Sequence, residues 1–193
     1  NLLGIDHSPG HPLYLIIGRL FQFLPVSSPA YRMNLMSAFF GALAVAMLFL
    51  VIDATLAIKV KRQFIRSASA AVTSLTFAFS RVWWAHCEIT EIYTLYLFLI
   101  LAAIYFLILW LKKNEAKTLY FSALCFGLCL SVSLMSAATF VVSFLLFLIL
   151  FRRIAKGFYK DFLIILLIVL FGLSFYLYYP LRGQVALFSH TMN

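Results

Sequence analysis

Charge is what this chain has least of. Only 11% of its 193 residues are Asp, Glu, Lys or Arg, and six of them are acidic. Soluble domains carry about a quarter charged residues, and a soluble core of this length needs far more polar surface to cover it. A water-soluble fold is therefore excluded. Cysteine is scarce too, at three residues. Cys125 and Cys129 lie four apart on one apolar helix face and read as small core residues, not as a redox pair. Cys87 has no obvious partner. No metal-ligand spacing and no internal repeat is visible. The first residue is Asn, and no basic, apolar, small-residue cleavage pattern opens the chain. The chain is thus expected to be a fragment or a processed piece of something longer.

What is present is apolar: 65% of residues are hydrophobic and 18% aromatic, with a mean hydropathy of +1.04. Such a composition predicts an all-α, polytopic transmembrane bundle. The net charge of +9 points to a membrane surface and not to nucleic acid, because of where the cations sit. They gather in three short loops: Lys59, Lys61, Arg62 and Arg66; Lys112, Lys113 and Lys117; Arg152, Arg153, Lys156 and Lys160. Short Lys/Arg-rich loops stay on the cytoplasmic side. The neighbouring aromatics, Phe64, Phe158 and Tyr159, fit a membrane interface as well as base stacking.

Reading apolar runs between those loops gives about six spans. The first three are expected at about Asn34–Ile58, Ser67–Ser80 and Ile92–Leu111. The run Leu119–Leu150 is too long for one crossing of about 20 residues. It divides into two helices with a turn near Leu134–Ala137, where Ser131, Ser133 and Ser136 soften it. The last span runs from about Asp161 to Tyr179, stopped by Pro180. Some spans are short, which suggests tilt or burial inside the bundle. One transmembrane domain covers 1–193: an exterior loop and interfacial helix over 1–30, a membrane bundle over 31–180, and an exterior tail over 181–193. Every basic loop then lies on one side. The histidines and the glutamates of "CEITEIY" lie on the other.

Three polar constellations stand out. The first is "GIDHSPGHPLY". Pro9-Gly10 marks a turn, and His11 precedes Pro12, which suits a first helical position. The helix that follows is about 20 Å long, too short to cross, and Arg19 and Gln22 share its polar face. The stretch either holds His7 and His11 at the membrane surface for binding or simply builds a tight turn. The second is "RVWWAHCEITEIYTL". Trp83 and Trp84 are expected as interfacial anchors, and Glu88 and Glu91, three apart, as one helix face. The two carboxylates could bind a cation, act as a base, or pair with Arg32, Arg81 or Arg182. The third is a pair of isolated charges. Asp53 lies deep in a span and is expected to pair with Lys59 and not to relay protons. Arg182, after "YYP", suits a phosphate or a lipid headgroup.

The ordered segments "GIDHSPGHPLYLIIGRLFQFLP", "YRMNLMSAFFGALA" and "FSRVWWAHCEITEIYTLYLF" resemble a bacterial membrane domain family of formerly unknown function. That family is related to the protein O-mannosyltransferases of the GT-C superfamily. His7, Pro9, Gly10 and Pro12 match its histidine-proline motif, Arg32 and Asn34 its next segment, and Arg81, Glu91 and Tyr93 its third. Ser8 stands where proline is usual, His11 where an aromatic is common, and "GLCLSVSLMSAAT" lacks the family's polar pair. The resemblance implies a GT-C-like bundle that moves a mannose-like sugar from a polyprenyl-phosphate donor to a Ser or Thr hydroxyl of an exported protein. It implies a catalytic acidic motif upstream of Asn1. His7, His11 and Glu91 would then support the reaction, Arg32, Arg81 and Arg182 would meet the donor phosphate, and Tyr14, Asn34, Glu88 and Tyr93 would line the substrate site. Membrane lipid is an expected partner, in a bacterial inner or ER membrane with the motif loops facing periplasm or lumen. No cofactor and no metal is specified. The alternatives are a transporter or flippase using Asp53 and Glu91 as coupling groups, or a noncatalytic scaffold; polar residues gathered on one side disfavour the transporter.

Overall fold

A computed structural model describes residues 10–133 and 161–180. Helices make up the described chain: α1 (Pro12–Phe21), α2 (Pro29–Leu56), α3 (Gln63–Ala78), α4 (Arg81–Glu88), α5 (Tyr93–Lys113), α6 (Ala116–Val132) and α7 (Phe162–Leu173), with a 3₁₀ turn at Ser174–Leu177. The all-helical class expected from composition is what forms. Three of the described helical stretches are long and apolar enough to cross a membrane: Pro29–Leu56, Tyr93–Lys113 and Phe162–Pro180. The second half of the run through Leu150, the third basic loop and the exterior tail lie outside the described residues.

Local chemistry sets the boundaries. Pro12 and Pro29 occupy first-turn positions, where a missing N–H costs nothing. The Ser28 hydroxyl caps α2 by accepting from the Tyr31 N–H at 3.3 Å. This cap starts α2 five residues before the expected Asn34, since "SSP" outranks the hydropathy profile as a start signal. Ser80 caps α4 through the Trp83 N–H. Asn114 closes α5 in a left-handed conformation at φ 54°, which asparagine tolerates.

The bundle centres on α5, which packs against α2 on one flank and α6 on the other; α7 lies beyond α6 and α3 beyond α2. Its main core joins Leu13 and Tyr14 of α1 to Met36, Leu95, Leu99, Cys129 and Val132. Helices α6 and α7 meet backbone to backbone: a Cβ added to Gly172 would overlap the main chain of Gly127. The Ser131 hydroxyl donates to the Gly172 carbonyl nearby, at 2.5 Å. A bundle in lipid must satisfy its polar groups internally, and this bond does so at the tightest crossing.

The two ends differ. At one end, Asp53 near the foot of α2 accepts from Arg66 Nε at 2.8 Å and from the Ser67 hydroxyl at 3.0 Å. The Lys112 ammonium there donates to the Ala54 carbonyl. Asp53 therefore pairs with Arg66, not Lys59: the α2–α3 turn swings Arg66 back over it, which spacing along one helix could not show. The two described basic loops share this end. The motif segments share the other.

Candidate functional site at the motif end

The motif end is assembled from α1, the start of α2, α4, the α4–α5 turn and the last turns of α6 and α7. His11 precedes α1, and its Nδ1 lies 2.5 Å from the Val132 carbonyl. A carbonyl can only accept, so Nδ1 carries the proton there. The Tyr176 hydroxyl reaches the Gly10 carbonyl at 3.4 Å and the Leu130 carbonyl at 3.5 Å. Gly10 has φ 76° and abuts the Tyr179 ring, where a Cβ would clash. The turn is thus fastened to the ends of α6 and α7, and glycine is required there on two counts. Tyr14 sits in the core, 7% exposed.

Arg32 clamps the α1–α2 connection. Its guanidinium donates to the carbonyls of Gln22 (2.9 Å), Val26 (2.7 Å) and Ser27 (3.1 Å). Ser27 is held at φ 40°, uncommon for a residue with a side chain. Two positions on, the Asn34 side-chain carbonyl accepts from the Thr90 hydroxyl at 2.7 Å. One turn further, the buried Ser37 hydroxyl accepts from the Glu91 N–H at 3.3 Å.

These bonds correct the expected single helix through Glu88 and Glu91. Helix α4 stops at Glu88, Ile89 is extended (φ −113°, ψ 160°), and α5 begins at Tyr93. The two carboxylates therefore do not share a helix face. Glu88 accepts from the Trp84 indole at 2.5 Å. Glu91 is half-buried in the turn. Among the described residues neither pairs with Arg32 or Arg81. The tryptophans differ as well: Trp84 is 52% exposed, but Trp83 is 6% exposed and packs at a tilt against Phe77 with centroids 4.9 Å apart. An eight-residue helix with one buried face must turn one of two adjacent side chains inward.

The residues brought together are Asn34, Ser37, Thr90 and Glu91, with His86 and Tyr93 ring to ring at 5.0 Å. His86, Ser37 and Thr90 were not singled out from sequence; a hydroxyl or histidine within an apolar run is the only signal they give. Arg81 is exposed at the far end of α4 from Glu88, about 10 Å along the axis. His7 and Arg182 lie outside the described residues. Cys87 packs against Gly41 of α2, and burial, reinforced by Glu88, pushes its thiol above the ordinary value. No group of three or more candidate metal ligands occurs among the described residues.

A helical membrane domain with its motif residues at one end and its described basic loops at the other is the class that this architecture defines. The chain belongs to the family described as the protein O-mannosyl-transferase TMEM260 N-terminal domain, whose model matches residues 1–158. It is 32% identical over 94 residues to the mouse protein O-mannosyl-transferase TMEM260. That match covers 48% of this chain and 12% of the mouse protein, so the chain spans a small part of its relative's length. No solved structure matches.

Proposed function

We propose that this chain is part of an integral-membrane glycosyltransferase of GT-C type. It would move a mannose-like sugar from a polyprenyl-phosphate carrier to a Ser or Thr hydroxyl of an exported protein. The observation that carries this reading is the meeting of the motif segments at one end of the bundle, opposite the described basic loops, in a chain of the TMEM260 family. A lipid-carried sugar is met at the membrane face, and that is where this end would lie, in the periplasm or lumen with the basic loops cytoplasmic.

In such a transfer a carboxylate takes the proton of the acceptor hydroxyl. The oxygen attacks the anomeric carbon, and the carrier phosphate departs with the bonding electrons. Cations stabilise the charge that grows on that phosphate. Within this chain Arg81, exposed at the start of α4, and Arg182 are the candidates to meet the phosphate; Arg32 is committed to three carbonyls and shapes the loop instead. Glu91 would contact the sugar or orient an arginine, and Tyr93, Asn34 and Glu88 would border the site. Tyr14 and His11 act from beneath, by holding α1.

Full-length protein assayed with a polyprenyl-phosphate mannose donor and a Ser/Thr peptide tests this. Glu91→Gln and Arg81→Ala are expected to slow transfer by one to several decades, as removal of a stabilising group does (about 10²–10³). Unchanged rates in both, with His7→Ala also unchanged, would overturn the site. The transporter reading fares worse: Asp53, its expected coupling group, is tied to Arg66 and Ser67 at the opposite end from Glu91.

A further inference from the structure

Away from the motif end, α6 and α7 frame a groove of about 450 Å³. The two backbones touch at Gly127 and Gly172, and the groove lies on the Lys117 side of that crossing. There Leu119, Ala123 and Ile165 form part of a packed cluster between the helices. Its walls are Phe121 and Leu124 from α6 and Leu167 and Phe171 from α7, all apolar. Phe121, Leu167 and Phe171 are strongly exposed. Helix α7 belongs to a stretch apolar enough to span the bilayer, so the groove opens onto hydrocarbon and not onto water. An apolar slot facing lipid takes an acyl chain.

The polar end of the groove selects the headgroup. Lys117 and Tyr120 line it there. The Tyr120 hydroxyl donates to Asp161 Oδ1 at 3.2 Å, a phenol placed as at a headgroup boundary. Among the described residues Lys117 pairs with Glu115 alone, at 3.0 Å, and its side chain is 73% exposed. An exposed pair of that kind is weak, which leaves the ammonium available to a phosphate. Lys113, the last residue of α5, precedes Lys117 by four positions. The acids at this mouth are Glu115 and Asp161, both already engaged.

We infer that this groove is a lateral binding site for an anionic phospholipid, one acyl chain lying between α6 and α7 and the phosphate against Lys117. The site is independent of the proposed sugar transfer and lies at the opposite end of the bundle. The full-length protein, reconstituted in equimolar phosphatidylcholine and phosphatidylglycerol vesicles and released for native mass spectrometry, tests it. Phosphatidylglycerol is expected to stay bound in preference to phosphatidylcholine. Lys117→Ala should weaken retention about fivefold, the worth of one lysine near an anionic lipid (about 1 kcal/mol). Leu167→Trp should displace the chain by filling the slot, and Lys61→Ala, in the other described basic loop, should change nothing. Equal retention of both lipids, or retention untouched by Lys117→Ala and Leu167→Trp in folded protein, would overturn the site. So would preferential capture of polyprenyl phosphate added to the same vesicles.

Discussion

The side chains of Asn34 and Thr90 meet across 2.7 Å, although 56 positions separate them in the chain. With the Glu91 N–H on Ser37, this bond fixes the α4–α5 turn against the first turns of α2. A double-mutant cycle of Asn34→Ala and Thr90→Val, read by thermal unfolding in detergent, should give about 0.5–1.5 kcal/mol for each single change. The double variant should lose less than the sum. Strict additivity would mean that the two side chains do not interact.

His11 donates from Nδ1, and the asparagine amide places an N–H in nearly the same position. His11→Asn is therefore expected to keep most of the stability that His11→Ala loses, about 1–3 kcal/mol for an orphaned carbonyl. Glutamine, whose amide mimics Nε2, should not rescue. Comparable melting of the Asn and Ala variants would remove the clasp.

Arg66 and Asp53 are each less than a quarter exposed at their side chains. Partial exposure limits the pair to about 1 kcal/mol. Arg66→Ala is expected to cost about that much, Lys59→Ala nothing measurable, and the exchange Asp53→Arg with Arg66→Asp to recover part of the loss. A larger effect from Lys59→Ala would restore the pairing expected from sequence.

Gly172→Ala forces a methyl into the Gly127 main chain. Overpacking of this kind costs about 1–3 kcal/mol, and the α6–α7 crossing is expected to loosen. Engineered cysteines at Ala123 and Ile165, in a cysteine-free background, should crosslink more slowly in the Gly172→Ala variant. Unchanged crosslinking would place the crossing elsewhere.

Cys87 has its thiol pushed upward by burial and by Glu88. A raised value means a smaller thiolate fraction at any given pH, and thiolate is the reacting form. With Cys125 and Cys129 replaced by alanine, maleimide labelling is expected to be slow at neutral pH and to rise at a higher pH than for a free thiol. Glu88→Gln should move that rise part of the way back. Fast labelling at neutral pH would contradict the packing against Gly41.

Hydropathy and cation placement made the all-helical class, α2, α5 and the last span readable, together with the separation of the motif segments from the described basic loops. Those signals depend only on side-chain transfer and repeat along the chain. The break between α4 and α5 was not readable, because no proline or glycine marks it. It exists because Ser37 takes the Glu91 N–H that an unbroken helix would give to Cys87. Likewise the role of Arg32 depends on three carbonyls whose directions follow from the turn at Ser27. The family resemblance marked Asn34, and the spacing of Glu88 and Glu91 marked Glu91, as residues of interest, but neither showed their common neighbourhood, which only the folding of α2 against the α4–α5 turn creates.

The bond between Tyr176 and the Gly10 carbonyl spans 166 positions, and that has a consequence for biosynthesis. A ribosome delivers Gly10, His11 and α1 long before Val132 and Tyr176 exist to hold them. Until α6 and the turn after α7 have followed, Gly10 and His11 lack these partners. A truncation before residue 176 would therefore remove the Tyr176 tie to Gly10 while sparing the bond between His11 and Val132.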